Sequence, residues 1–256
     1  MGRAVKKPVE ITSVTELAEG IFSMWIKDKA IADSAVPGQF LSLYSRNGDK
    51  LLPRPISICE INREEETLRL VYRVVGEGTK EFSVYRPGEL IEVMGPLGNG
   101  FPLETKNAIL VGGGIGIPPM LELAKQLKCE KKIVLGYRDI LFLNNEFESY
   151  GDVYISTEDG SAGTRGNVVD AIISNDLKAD VIYACGPTPM LRGLKEYAGK
   201  RGIATWLSLE ERMACGIGAC LACICKTRDI DHHTNVSNKR ICKDGPVFSG
   251  EEIELS

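Results

Sequence analysis

The sequence predicts a three-part chain of the β plus α/β class. An antiparallel β-barrel covers residues 1–102, a parallel-sheet α/β domain 103–206, and a small cysteine-bearing domain 207–256. Three observations predict this. Up to about residue 100, short strand-like runs are punctuated by turn residues, and no helical period lasts a dozen residues. From about residue 106 strand and helix patterns alternate. Beyond residue 207 five of the eight cysteines are gathered.

In the first part, residues 21–27 and 39–44 read as strands, with Pro37-Gly38, Asn47-Gly48, Pro87-Gly88 and Asn99-Gly100 as turns. The stretch from Thr67 to Val75 alternates, which puts Leu68, Leu70, Tyr72 and Val74 on one face and Arg69 and Arg73 on the other. Closing such strands into a small barrel removes the unpaired edges. The charged run Arg63-Glu64-Glu65-Glu66 reads as a solvated turn.

In the second part, Ala108-Ile109-Leu110-Val111 is a buried strand, followed by Gly112-Gly113-Gly114-Ile115-Gly116 and a helix beginning near Pro118, where a missing N–H costs nothing. Residues 132–137, 153–156 and 181–184 read as further strands, and 168–174 and 189–198 as helices. This alternation is that of a parallel sheet. The glycine run lacks the G-x-G-x-x-G spacing, so alone it is either a tight connection or a phosphate cradle. Its place between a buried strand and a helix favours a nucleotide. Asp139, Glu158 or Asp159 could bond an adenosine ribose, and each also reads as a solvated loop acid. Cys185 ends an apolar strand before Gly186-Pro187, a position that suits a buried thiol. Cys59 and Cys129 read as inert.

The third part carries the most specific pattern. Cys215, Cys220 and Cys223 follow a C-x4-C-x2-C spacing, and a long loop returns Cys242, the ligand order of plant-type 2Fe–2S sites. Bridging sulfides need main-chain N–H groups close by, and Gly216, Gly218, Ala219 and Ala222 leave room for them. Cys225 is a fifth thiol, and the spacing selects Cys223 over it. The competing reading is a structural zinc site, but zinc ribbons usually show two C-x2-C knuckles, and here there is one. His232-His233 reads as a solvated loop pair, since four cysteines suffice as ligands.

Composition narrows the functional classes. The 31 Lys+Arg against 35 Asp+Glu give a net charge of -4 over 256 residues, which offers no broad basic surface for a nucleic acid. The N-terminus is basic with no apolar run behind it, so a secretory signal is not supported. Lys6 stands where N-myristoylation needs Ser or Thr. The uncharged stretch 107–121 is shorter than the ~20 residues a membrane span requires. A cytoplasmic location with reduced thiols is expected. No nucleophile with its base and no acid pair is discernible that would activate an organic substrate.

One barrel motif remains. Arg54-Pro55-Ile56-Ser57 is followed by Val71-Tyr72-Arg73 and then by Gly76-Glu77-Gly78-Thr79, ahead of a predicted short helix. Arg54 alone is compatible with a Pro-fixed strand edge. Two arginines with a glycine turn suit a diphosphate. Together with the Gly112–Gly116 turn and Cys185-Gly186-Pro187-Thr188-Pro189-Met190, these segments resemble the ferredoxin-reductase family. The resemblance implies that a six-stranded barrel binds FAD and the α/β domain binds a nicotinamide nucleotide. By that resemblance Arg54 pairs with FAD phosphate, Ser57 lies near the flavin N5 edge, Pro55 and Ile56 belong to the same FAD-binding segment, and Val71, Tyr72 and Arg73 line the flavin. Gly78 and Thr79 hold the diphosphate, while Gly112, Gly113, Gly114 and Gly116, with Cys185 and Gly186, serve NAD. Many members have Tyr where this chain has Ile56.

The cysteine segment narrows the match: Leu209-Glu210-Glu211-Arg212-Met213-Ala214-Cys215, with Cys242-Lys243-Asp244-Gly245, resembles the electron-transfer subunits of class 1B dihydroorotate dehydrogenase. This implies FAD, a 2Fe–2S cluster, NAD and a separate FMN-containing catalytic subunit, two of each in a heterotetramer. Nicotinamide exchanges a hydride and the cluster single electrons, and a flavin handles both. Ile217, Leu221 and Ile224 form an apolar edge suited either to the partner or to packing within the segment. Two other functions use the same residues: a subunit of an NAD(P)H:ferredoxin oxidoreductase or hydrogenase, and a zinc-stabilised binding or redox-sensing module.

Overall fold

A computed structural model describes residues 5–46, 50–103, 105, 107–231 and 235–255, with the side chains of 229 and 231 excepted. The Asn47-Gly48 turn and His232-His233 lie outside the described residues.

The predicted strands of the first part close on themselves. Strands β1 (Lys6–Ala18), β2 (Ile21–Lys27), β3 (Phe40–Tyr44), β4 (Arg54–Asn62), β5 (Thr67–Arg73) and β6 (Leu90–Leu97) form a closed barrel in the order β1-β2-β5-β4-β3-β6. Every neighbouring pair is antiparallel. Two short helices, α1 (Lys29–Ser34) and α2 (Glu77–Phe82), accompany it. Period-2 alternation fills the barrel with Leu41, Leu43, Leu68, Leu70 and Tyr72.

The outer face of β5, where alternation places Arg69, is covered at that residue. Arg69 is 8 % exposed, because the second domain packs onto that face. Its guanidinium donates to Ser23 Oγ at 2.9 Å and bridges to Glu146 at 2.5 Å and Glu60 at 3.6 Å. Alternation set the inner face, and a neighbouring domain decided the outer one.

The second part comprises β7 (Asn107–Gly113), a 3-10 turn at Gly114–Gly116, α3 (Pro118–Gln126), β8 (Glu130–Tyr137), α4 (Asn144–Phe147), β9 (Asp152–Thr157), β10 (Thr164–Arg165), α5 (Val168–Ser174), β11 (Val181–Cys185), α6 (Thr188–Gly199) and β12 (Ala204–Ser208). The third comprises β13 (Ile224–Asp231), β14 (Val236–Arg240), α7 (Ile241–Asp244), β15 (Val247–Ser249) and β16 (Ile253–Glu254). The large sheet has the order β10-β9-β8-β7-β11-β12-β15, parallel except for β15, which runs antiparallel to β12. A small sheet has the order β14-β13-β16. Strand β12 crosses the 206/207 division drawn from the sequence, and β15 brings the C-terminal segment back into the second sheet.

The parts share cores. One cluster joins barrel residues Cys59, Val71 and Phe101 to Leu110, Met120 and Ile133 of the α/β domain. Another joins Phe40, Met94 and Leu97 of the barrel to Met213, Cys223 and Cys242. Burying a large apolar side chain contributes roughly 1.5–3 kcal/mol, so cores of this extent hold the three parts together.

Candidate functional site

On the barrel, Arg54 starts β4, and Pro55, Ile56 and Ser57 follow it half-buried. Their register on β3 pairs Arg54 with Leu43, Pro55 with Ser42, Ile56 with Leu41 and Ser57 with Phe40. The structure brings Arg54 and Gly78 together, although they are distant in sequence. A Cβ built on Gly78 would collide with the Arg54 guanidinium and stand 2.7 Å from its Nη2. Gly78 therefore leaves the space the guanidinium occupies. Both lie at the start of α2, whose first amides have no intrahelical acceptor. Gly78 and Thr79 belong to the first turn of α2, where the sequence placed them ahead of it. The Thr79 hydroxyl accepts from the amides of Val75 and Gly76 at 3.0 and 3.2 Å, and it caps its own helix.

Of the three residues expected along the flavin, Val71 packs between the domains and Tyr72 in the barrel core beside Phe22, 6.3 Å away between centroids. Arg73 is exposed. The Tyr72 hydroxyl is buried and its pKa is raised by that burial.

The nucleotide end is defined by topology. The chain runs from β7 outward through β8 and β9, then returns to the other side of β7 as β11. Ligands of open α/β sheets bind at such a reversal, beyond the carboxyl ends of the strands. Those ends carry the glycine turn and Cys185-Gly186, with Gly112 registered against Cys185. Packing crowds three of the four glycines, two of them against backbone. A side chain would meet Ile117 Cα at 2.8 Å from Gly112, Met190 from Gly113, and the Cys185 carbonyl from Gly116. Gly114, at φ +53°, has nothing within 4 Å of a Cβ, so the open part of the turn is there. The Met190 contact was not legible in the sequence, although the residue stood in the quoted motif.

Cys185 is buried, and burial pushes its thiol up to about 12 against the opposing hydrogen bond with Ser208. A thiol so held stays protonated near neutral pH. Asp139, Glu158 and Asp159 are exposed at or near the carboxyl ends of β8 and β9. Asp159 accepts from the Ser161 amide and hydroxyl at 3.0 and 2.7 Å.

The cysteine loop folds around sulfur. The Gly218 amide lies 3.1 Å from Cys242 Sγ, those of Ala219 and Cys220 lie 3.3 and 3.4 Å from Cys215 Sγ, and that of Cys242 lies 3.4 Å from Cys223 Sγ. Gly216 and Gly218, at φ +70° and +81°, take the left-handed conformation that lets these amides turn inward. Burial works to raise Cys215, but the amides of Ile217, Cys220 and Ala219 and the Cys220 thiol bring it down to about 6. Cys242 is pushed up to about 12 by burial and by its hydrogen-bonded neighbour Cys223.

Amide-to-sulfur bonds thus link the cysteines as two pairs, Cys220 to Cys215 and Cys242 to Cys223. Among the described residues no three His, Cys, Asp or Glu side chains converge on one point. Two pairs of cysteines suit a binuclear cluster, which takes two thiolates per iron. The donor set fits the cluster. Cys225 lies outside it on β13, paired with Lys239, and burial pushes it up to about 11. Ile217, Leu221 and Ile224 are exposed on the rim.

The cysteine loop also touches the barrel: a Cβ on Gly216 would stand 3.4 Å from Leu97 and 3.6 Å from Met94. The cysteine segment therefore lies against strand β6, which neighbours β3 and through it β4.

Residues 210–254 match the family model for the iron-sulfur cluster binding domain of dihydroorotate dehydrogenase B. The chain is 43% identical over 249 residues to the electron transfer subunit of dihydroorotate dehydrogenase B (NAD(+)) from Geobacillus sp. strain WCH70, covering 93% of this chain and 95% of the relative. It is 44% identical to the protein of that name from Listeria monocytogenes strain EGD-e, covering 96% and 98%. Among solved structures, a chain from an NADH-dependent reduced ferredoxin-NADP oxidoreductase superposes with TM-score 0.86 at 32% identity, covering 99% of this chain and 91% of that one. Phthalate dioxygenase reductase superposes with TM-score 0.61 at 18% identity, covering 95% and 94%, a likeness of fold.

Proposed function

The chain belongs to the family of dihydroorotate dehydrogenase B electron-transfer subunits, and from that premise we propose how its residues carry electrons to NAD+. It is a component of an oxidoreductase that works with FAD, a 2Fe–2S cluster and NAD, and it has a catalytic partner. In our reading the partner contains FMN and oxidises dihydroorotate, two of each subunit assemble, and the complex is cytoplasmic. No described helix is long and apolar enough to cross a membrane. When bound, the cluster takes electrons singly and FAD converts them to the pairs a hydride needs.

The residues divide this work among the barrel, the α/β domain and the cysteine segment. Cys215, Cys220, Cys223 and Cys242 hold iron, and the amides around them stabilise charge on sulfur. Arg54, with the start of α2 at Gly78, holds the FAD diphosphate, while Pro55, Ile56 and Ser57 border the flavin. Gly114 opens the nucleotide site, and Gly112, Gly113, Gly116 and Gly186 bring the two strand ends close enough to form it. Ile217, Leu221 and Ile224 face the partner.

The observation that carries the reading is the contact of the cysteine loop with β6 of the barrel, in a core that the cysteine segment, the barrel and the α/β domain share. The test is anaerobic titration of the purified protein with NADH, followed by absorbance and electron paramagnetic resonance. Flavin bleaching with a reduced-cluster signal is expected, and an unchanged spectrum would refute the assignment. The likeness to the ferredoxin-NADP oxidoreductase chain favours a second reading, with a different electron partner. Co-purification from the native host decides: an FMN protein that turns over dihydroorotate supports the first reading, and a ferredoxin-reducing complex the second.

A further inference from the structure

Strand β3 presents two faces. Leu41 and Leu43 point into the barrel core, while Phe40 and Tyr44 pack against the cluster of side chains that includes Met213, Cys223 and Cys242. Period-2 alternation puts Ser42 on the second face, toward the cysteine segment. The contact confirms it: Ser42 Oγ is 2.9 Å from where a Cβ on Gly216 would stand, next to Cys215. Ser42 is 0 % exposed, and its hydroxyl has no hydrogen-bond partner among the described residues. A buried hydroxyl without a partner is costly, typically by about 1–3 kcal/mol, and such a group calls for an explanation. A packing role alone would be met by alanine at no such cost.

Its surroundings supply the explanation. In the ladders Ser42 is registered with Pro55 of β4 on one side and Met94 of β6 on the other. It therefore stands between the strand that carries Arg54 to Ser57 and the loop that carries Cys215. We infer that the Ser42 hydroxyl, which bonds none of the described cysteine sulfurs, is the barrel's hydrogen-bond donor to the sulfide of a cluster held at the Cys215 edge, and that it sets the reduction potential of that cluster. Gly216 keeps the approach open, since any side chain at that position would fill it. A donor to sulfur stabilises the more negative, reduced state, so its removal favours the oxidised one. Ser42 is a positioning and tuning residue, not an iron ligand.

This inference rests on the assignment of Cys215, Cys220, Cys223 and Cys242 to iron, and the test separates the two. Ser42→Ala is compared with wild type in the full chain by iron and flavin content, by a redox titration monitored by electron paramagnetic resonance, and by deuteron couplings to the reduced cluster after exchange into D2O. The expected result is full iron and FAD, loss of one exchangeable deuteron coupling, and a lower potential. The reduced-to-oxidised ratio at fixed potential should fall about threefold to tenfold, the worth of one hydrogen bond. An iron-replete variant with unchanged potential and couplings would overturn the inference while leaving the iron assignment intact. A variant depleted of iron would also overturn it, by showing that Ser42 serves assembly. Wild-type protein that holds no iron would overturn both.

Discussion

The carboxylate of Glu122 on α3 accepts a hydrogen bond from the Ile61 amide of β4 at 2.7 Å, in a site where Glu122 is 1 % exposed. Helix α3 begins just after the glycine turn, and β4 begins with Arg54. One buried contact therefore fixes the nucleotide-side turn relative to the strand assigned to FAD.

Burial, the largest influence, raises the Glu122 carboxyl above its ordinary value of 4.5, while bonds from Gln126 and Ile61 oppose it. A folded-state pKa above the unfolded one gives stability that is fully present below the unfolded value and is lost as pH rises through the folded one. Glu122→Gln removes this loss. Its stability relative to wild type should therefore improve as pH rises from about 4.5 toward neutrality. Urea unfolding at stepped pH measures it, and a constant difference would contradict the account.

Arg69 joins the barrel to the α/β domain through Glu146 and Glu60. Arg69→Met keeps the aliphatic packing and leaves Glu60 without this cation, although Lys125 still bonds it at 2.9 Å. Because the Glu146 side chain is 41% exposed, the cost should be that of charge-assisted hydrogen bonds, ~1.5–3 kcal/mol, and not the larger cost of breaking a fully buried pair. Thermal unfolding checks it, and an unchanged midpoint would show the contact to be energetically idle.

Gly78→Ala would push the Arg54 guanidinium aside, so it should mimic Arg54→Ala. Each should weaken FAD retention about tenfold or more, the worth of a charge-assisted hydrogen bond. The double variant should be little worse than either single, because both remove one interaction. Flavin content after gel filtration and fluorescence titration with FAD measure this, and additive losses would separate the two residues.

Cys242→Ala should lose the cluster and keep FAD, since Arg54 and α2 lie in the barrel. Cys225→Ser should keep both, because Cys225 lies on β13 outside the two thiol pairs. Iron, sulfide and flavin analysis decides, and iron loss in the Cys225 variant would redraw the ligand set.

Much of this was legible because it is local. The inner face of β5 follows from alternation at Leu68, Leu70 and Tyr72, and the start of α3 from Pro118. The C-x4-C-x2-C segment declares its chemistry by spacing, because ligands a few residues apart on one loop are constrained by covalent geometry. The outer face of β5 was not legible. Alternation puts Arg69 opposite the core, and nothing local shows that Glu146, far along the chain, is brought against it.

The sequence alone determined the barrel, the parallel sheet and the thiol spacing, since each rests on the periodicity or spacing of near neighbours, while FAD and NAD entered through the resemblance of its motifs to a family. Only the tertiary structure decided that Arg54 rests over Gly78, that packing crowds three glycines of the turn, and that Ser42 meets Gly216. These contacts depend on which surfaces meet when the three parts bury their shared apolar faces, and no local pattern specifies that.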